Sequence, residues 1–155
     1  MEDIKIELKS IVDKALNSFN QSEKYLIENN LSERCICSRL MLHLTNALRQ
    51  TEFSDYVVDV EYNRGMDGKE RSIKRIDDSP ITVDLIIHKR GYDCDYGFDN
   101  LICIEMKKST DRRGLNADKE RLRKMTSYDY GFCYRTGFMI VVDMKNKALV
   151  INEQL

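Results

Sequence analysis

The sequence is poor in the residues that break a chain into segments: it has one proline and seven glycines in 155 residues. That leaves little room for long structureless linkers. No stretch approaches the roughly 18 uninterrupted apolar residues that a membrane span requires. The opening residues, Met1-Glu2-Asp3-Ile4-Lys5, lack the apolar centre of a signal peptide. There is no internal repeat, no low-complexity tract and no glycine-rich nucleotide loop. The five cysteines (Cys35, Cys37, Cys94, Cys103, Cys133) are odd in number and scattered, and Cys35-Ile36-Cys37 has no second pair to complete a zinc site. The expectation is a cytoplasmic protein with reduced thiols, Cys35 and Cys103 acting as small buried hydrophobes inside apolar patterns.

What remains is the composition of an ordinary globular domain. An apolar fraction of 42% beside a charged fraction of 33% excludes a disordered chain. The net charge of −1 excludes a uniformly basic protein but hides a local excess. Between Lys107 and Lys124 eight basic residues face three acidic ones, the kind of stretch that a phosphate backbone attracts. Length points to one domain spanning residues 1–155, with a helical segment over 1–50 and a sheet core over 51–155.

In the helical segment, Ile4, Leu8, Ile11, Val12, Ala15, Leu16 and Phe19 recur at spacings of three and four and form one apolar stripe. Asn20-Gln21-Ser22 interrupts it, Ser22 being placed to cap a short helix that ends near Asn29-Asn30. Ser32 is placed to cap a third helix through Ile36, Leu40, Leu44 and Leu48. Beyond Gln50, β-branched and aromatic runs predict strands over 56–62, 71–76, 81–88, 101–107, 136–143 and 148–151, with a helix over 115–128 before the last two. The order argues an α/β fold, a mixed central sheet flanked by helices.

Two of these strands carry acidic residues inside otherwise apolar runs: Asp84 in Ile81 to Ile87, and Glu105, with Lys107, in Leu101 to Lys107. A carboxylate buried between apolar neighbours is costly unless it is paired or bound to a metal. Residues i and i+2 of a strand share a face, so Glu105 and Lys107 project together. In a hairpin folded symmetrically about Cys94-Asp95, Asp84 falls opposite Glu105, at about 5 Å between Cβ atoms. Two adjacent carboxylates repel, and a hard divalent cation, Mg²⁺ or Mn²⁺, resolves that repulsion. A lysine beside them serves the attacking water and steadies charge on a phosphate. The bland alternative is an ion pair between Glu105 and Lys107 at a strand end.

Asp84 followed by Glu105-Met106-Lys107 on the next strand resembles the PD-(D/E)XK nuclease superfamily, with its restriction-endonuclease-like fold. The chain is similar to small bacterial members that carry the segments read here as Glu61-Tyr62-Asn63-Arg64, Asp84-Leu85-Ile86-Ile87-His88-Lys89-Arg90-Gly91 and Ile104-Glu105-Met106-Lys107-Lys108. It departs from the family pattern at the proline, Pro80 standing four residues before Asp84. The resemblance implies Asp84 and Glu105 as metal ligands with the backbone carbonyl of Met106 as a third, Lys107 serving the water, and Glu33 as an accessory acidic residue. It implies a metal-dependent phosphodiester hydrolase acting on nucleic acid, DNA in the first instance. The alternative is an inactive nuclease-like binding or regulatory module.

Arg64, Lys108, Lys119 and Arg123 are the expected nucleic-acid contacts, Lys119 and Arg123 lying one turn apart on one helix face. Tyr92, Tyr96 and Phe98 in the 89–100 loop are placed to stack on unpaired bases. His88 and His43 read as structural, His43 having no evident partners for a nucleophilic triad. A domain this small has no added recognition module, so specificity falls to its loops, a partner, or a second copy of the chain.

Overall fold

A computed structural model describes residues 2–66, 71–90, 99–111 and 113–155. Helices α1 (Glu2–Ser22), α2 (Lys24–Glu28) and α3 (Glu33–Leu48) come first. Strands β1 (Val57–Val60), β2 (Arg64–Met66), β3 (Arg71–Ile73), β4 (Arg75–Ile76), β5 (Ser79–Pro80), β6 (Leu85–His88) and β7 (Asn100–Lys108) follow. Helix α4 (Leu115–Thr126) then crosses over to β8 (Thr136–Asp143) and β9 (Ala148–Gln154). Among the described residues the main sheet has the order β1-β6-β7-β8-β9. It is mixed: β7 and β8 are parallel and the other neighbours antiparallel. The parallel pair requires a long crossover, which α4 supplies.

The alternation of β7 divides the core. Ile102, Ile104 and Met106 pack with Leu8, Phe19, Ile36 and Leu44 of α1 and α3. Cys103 packs with Ile86, Met139, and Leu122 and Met125 of α4 on the opposite face. Gly137 lets α4 approach: a Cβ there would stand 3.3 Å from Cys103 Sγ and 3.5 Å from Leu122 Cδ2.

Several sequence expectations shift in the structure. Ser22 ends α1 rather than capping α2, because its hydroxyl donates back to the Ser18 carbonyl at 3.0 Å. Ser32 does cap α3, accepting from the Cys35 N–H at 3.2 Å. Cys37, Cys103 and Cys133 are buried thiols, while Cys35 is only half-buried, since the inward stripe of α3 is Ile36, Cys37, Leu40, Leu44 and Leu48. The strand expected over 71–76 is two short pieces outside the main sheet. Its second piece turns at Asp77 and Asp78, both with positive φ (48° and 62°), to pair with β5. Two such residues in succession form the tight reversal typical of two-residue hairpins. The strand expected over 81–88 begins only at Leu85, which leaves Asp84 just outside the ladder. The aromatic loop residues Tyr92, Tyr96 and Phe98 lie outside the described residues, as does the Arg64 side chain.

The close approach at Gly137 makes a test of the α4 packing. Gly137→Val is expected to lower unfolding stability by about 1–3 kcal/mol through overpacking, read by urea denaturation. Unchanged stability would contradict the contact with Cys103 and Leu122.

Candidate functional site

The β6–β7 register pairs Leu85 with Ile104 and Ile86 with Cys103. One step further along that register sets Asp84 opposite Glu105, as the symmetric hairpin predicts. A bulge at Ile87/His88 lies toward the loop and leaves this end of the ladder intact. Since β6 has not begun at Asp84, its side chain takes over the ladder's role: Oδ2 accepts the Met106 N–H at 2.7 Å. Its backbone carbonyl accepts from Glu61 N–H at 3.0 Å, and Glu61, with φ 49°, ends β1 there. Asp84 is thus fixed at both its backbone and its carboxylate.

Glu105 is 3% exposed. Burial, and next the charge of Asp84, push its carboxyl up to about 8, against the guanidinium of Arg121. Burial raises Asp84 too, opposed by hydrogen bonds from Met106 N–H and the Glu105 carboxyl. Lys107 shares the face of Glu105, and its Nζ lies 3.0 Å from Asp118 Oδ2. Burial works against the Lys107 charge, but the carboxylates of Asp118, Glu33 and Asp84 together outweigh it and hold the ammonium above its ordinary range. Glu33, at the first turn of α3, accepts the Lys108 N–H at 2.8 Å. The structure therefore brings all four predicted residues, Glu33, Asp84, Glu105 and Lys107, to one end of β7.

Two further side chains belong to this cluster and were not assigned to it from the sequence. Arg121 Nε donates to Glu105 Oε1, and its Nη2 donates to Asp118 Oδ1 at 2.6 Å. Asp118 lies in the first turn of α4, where a carboxylate favours the helix start, and it also bridges Lys107 and Arg121. The signal was present: Asp118, Arg121, Leu122 and Met125 fall on one helical stripe, which faces the sheet.

Of the expected nucleic-acid contacts, Lys108, Lys119 and Arg123 have partners of their own. Lys119 and Arg123 share a face, but both pair with Glu153 of β9, at 2.6 and 3.7 Å. Lys108 Nζ donates to Asn30 Oδ1 at 2.8 Å. Lys124 pairs with Asp77 at 2.5 Å, and Arg113 with Asp111 at 2.9 Å. His88 is buried, its Nε2 2.9 Å from Asp59 Oδ2, with the Tyr62 ring 4.6 Å from its own. His43 does find partners, with Nδ1 2.9 Å from Ser18 Oγ and Nε2 3.5 Å from Glu23 Oε1. These contacts, with Arg39 on the same Glu23, tie the end of α1 and the junction that follows it to α3.

Among the described residues, no three His, Cys, Asp or Glu side chains converge in an arrangement that would hold a metal ion. The donor chemistry nonetheless suits one. Glu33, Asp84, Glu105 and Asp118 oppose only Lys107 and Arg121 within the cluster, and hard oxygen donors with excess negative charge favour Mg²⁺ or Mn²⁺. No family model, curated protein or solved structure matches the chain. Among the described residues, no helix is long and apolar enough to cross a membrane.

The raised Glu105 gives a pH test. Between its unfolded value near 4.5 and about 8, the native state binds a proton that the unfolded chain has lost. Stability therefore falls as pH rises through that window. Melting in EDTA is expected to show this decline, and Glu105→Gln to flatten it. A wild-type melting temperature that rises with pH over the same window would contradict the burial and carboxylate pairing.

Proposed function

We propose that the chain is a divalent-metal-dependent phosphodiester hydrolase acting on nucleic acid, most simply DNA. The observation that carries this reading is the juxtaposition of Asp84 and Glu105 on neighbouring strands, with Lys107 on the same face of the same sheet. The order of elements supports it as well. A helix, α3, precedes three antiparallel strands, β1, β6 and β7, and α4 leads to β8, parallel to β7. That order agrees with the PD-(D/E)XK nuclease fold that the sequence resembles.

In this reading Asp84, Glu105 and the Met106 carbonyl hold Mg²⁺ or Mn²⁺, with Glu33 accessory. The cation would supply Lewis acidity to the scissile phosphate and lower the pKa of its water. Lys107, held as an ammonium by Asp118, orients the attacking water and steadies the negative charge that builds on the phosphoryl oxygens. The Met106 N–H fixes the Asp84 carboxylate, so the ligand side of the site is set before substrate arrives.

A second reading has an observation of its own. Lys107 is engaged by Asp118 and Glu105 by Arg121, an arrangement complete without a metal, as in an inactive nuclease-like binding or regulatory module.

Cleavage of labelled single-stranded, duplex and branched DNA and RNA, with Mg²⁺, Mn²⁺ or EDTA, separates the two. Metal-dependent cutting is expected, and Lys107→Ala should reduce it by about 10²–10⁴-fold, the scale of a positioned catalytic group, with the fold retained. Normal turnover in the mutant would remove Lys107 from the mechanism. Metal-independent binding without cutting would favour the module.

A further inference from the structure

Arg121 bonds one oxygen of the carboxylate that the metal-site reading gives to a cation. Its Nε holds Glu105 Oε1, and the register of the neighbouring strand sets Asp84 opposite Glu105. The Glu105 side chain is 4% exposed, so there is little solvent to screen a second positive charge beside the guanidinium. A divalent cation on Glu105 and a guanidinium on the same carboxylate would repel at contact distance in a water-poor site. Guanidinium does not shed its charge, so the conflict is resolved only by movement.

The structure provides for that movement. Arg121 is forked between two carboxylates, and its Nη2 is held separately by Asp118 at 2.6 Å. Asp118 is anchored in its turn by Lys107 at 3.0 Å and by its place in the first turn of α4. The Arg121 side chain is 29% exposed, against 4% for Glu105, so it has an outward path while Glu105 does not. Loss of the Glu105 bond therefore leaves Arg121 tethered to Asp118 rather than loose.

Resting on the metal-site reading above, we propose that Arg121 is a resident counter-cation for Glu105, which Mg²⁺ displaces when it binds. In the metal-free protein its guanidinium satisfies the buried Glu105 carboxyl. In the loaded protein it stands aside on Asp118. Arg121 thereby sets the metal affinity of the site: ions that bind weakly do not dislodge it.

The test uses the ¹⁵N-labelled full chain in EDTA, titrated with Mg²⁺ at fixed pH. The Arg121 Nε–Hε signal is assigned by its loss in Arg121→Gln, and the Met106 amide, bonded to Asp84, reports metal binding independently. The expected result is that the Arg121 signal leaves its exchange-protected position as Met106 reports saturation. In Arg121→Gln, the half-saturating Mg²⁺ concentration is expected to fall by about tenfold, the effect of one modest charge interaction. A Met106 response with Arg121 unmoved, or unchanged Mg²⁺ affinity in the variant, would overturn the displacement and leave the metal site standing. No Met106 response to Mg²⁺ at all would overturn the metal reading, and the displacement with it. If Arg121→Gln does not fold, Arg121→Lys, which also lacks the Nε–Hε group, supplies the assignment and the wild-type titration decides.

Discussion

Two carboxylates face each other across the β6–β7 pair because the register that joins Leu85 to Ile104 places Asp84 beside Glu105. Alone, such a pair in a buried face would be strongly unfavourable. Much of the surrounding structure answers that problem. The Met106 N–H bonds Asp84, Arg121 bonds Glu105, and Asp118 then joins Arg121 to Lys107. The chain has committed backbone, helix and side-chain hydrogen bonds to holding these groups in place. A cluster built only for stability would more simply carry apolar residues at those positions.

The same arrangement explains why the fold needs both helical layers. On one face, α1 and α3 bury Ile104 and Met106, and the first turn of α3 sends Glu33 over the end of β7 to the Lys108 N–H. On the other face, α4 packs on Cys103 and Gly137 through Leu122, which brings Asp118 and Arg121 onto Glu105. Apolar contacts on either side thus determine where the polar groups meet. This is the general logic of a site held by a rigid frame rather than by loops.

The carboxylate pairing could be read from the chain because it depends on a simple count. Charges are rare enough in 81–87 and 101–107 to stand out, and symmetric folding about one loop sets their register. Glu33 came from the family resemblance alone, the residues themselves showing only that Ser32 starts the helix that carries it. Arg121 and its bridge to Asp118 were harder to see, because a helical stripe shows which side chains face the sheet but not which strand residue they meet. That depends on where α4 crosses β7, and so on Gly137. The strand expected over 71–76 is interrupted at Lys74, and its second piece ends for a local reason, since Asp77 and Asp78 adopt the left-handed region that short polar side chains tolerate. The basic stretch was legible in composition but not in its pairing. Composition shows its charge, but only the fold shows that Lys119, Arg123 and Lys124 lie beside Glu153 and Asp77.

The most direct test of the central claim is a crystal structure of the protein grown with Mn²⁺, with the metal located by anomalous scattering. The account predicts one strong peak between the carboxylates of Asp84 and Glu105, with the Arg121 guanidinium withdrawn from Glu105. A map with no peak there, and with Arg121 still bound to Glu105 in saturating Mn²⁺, would contradict it.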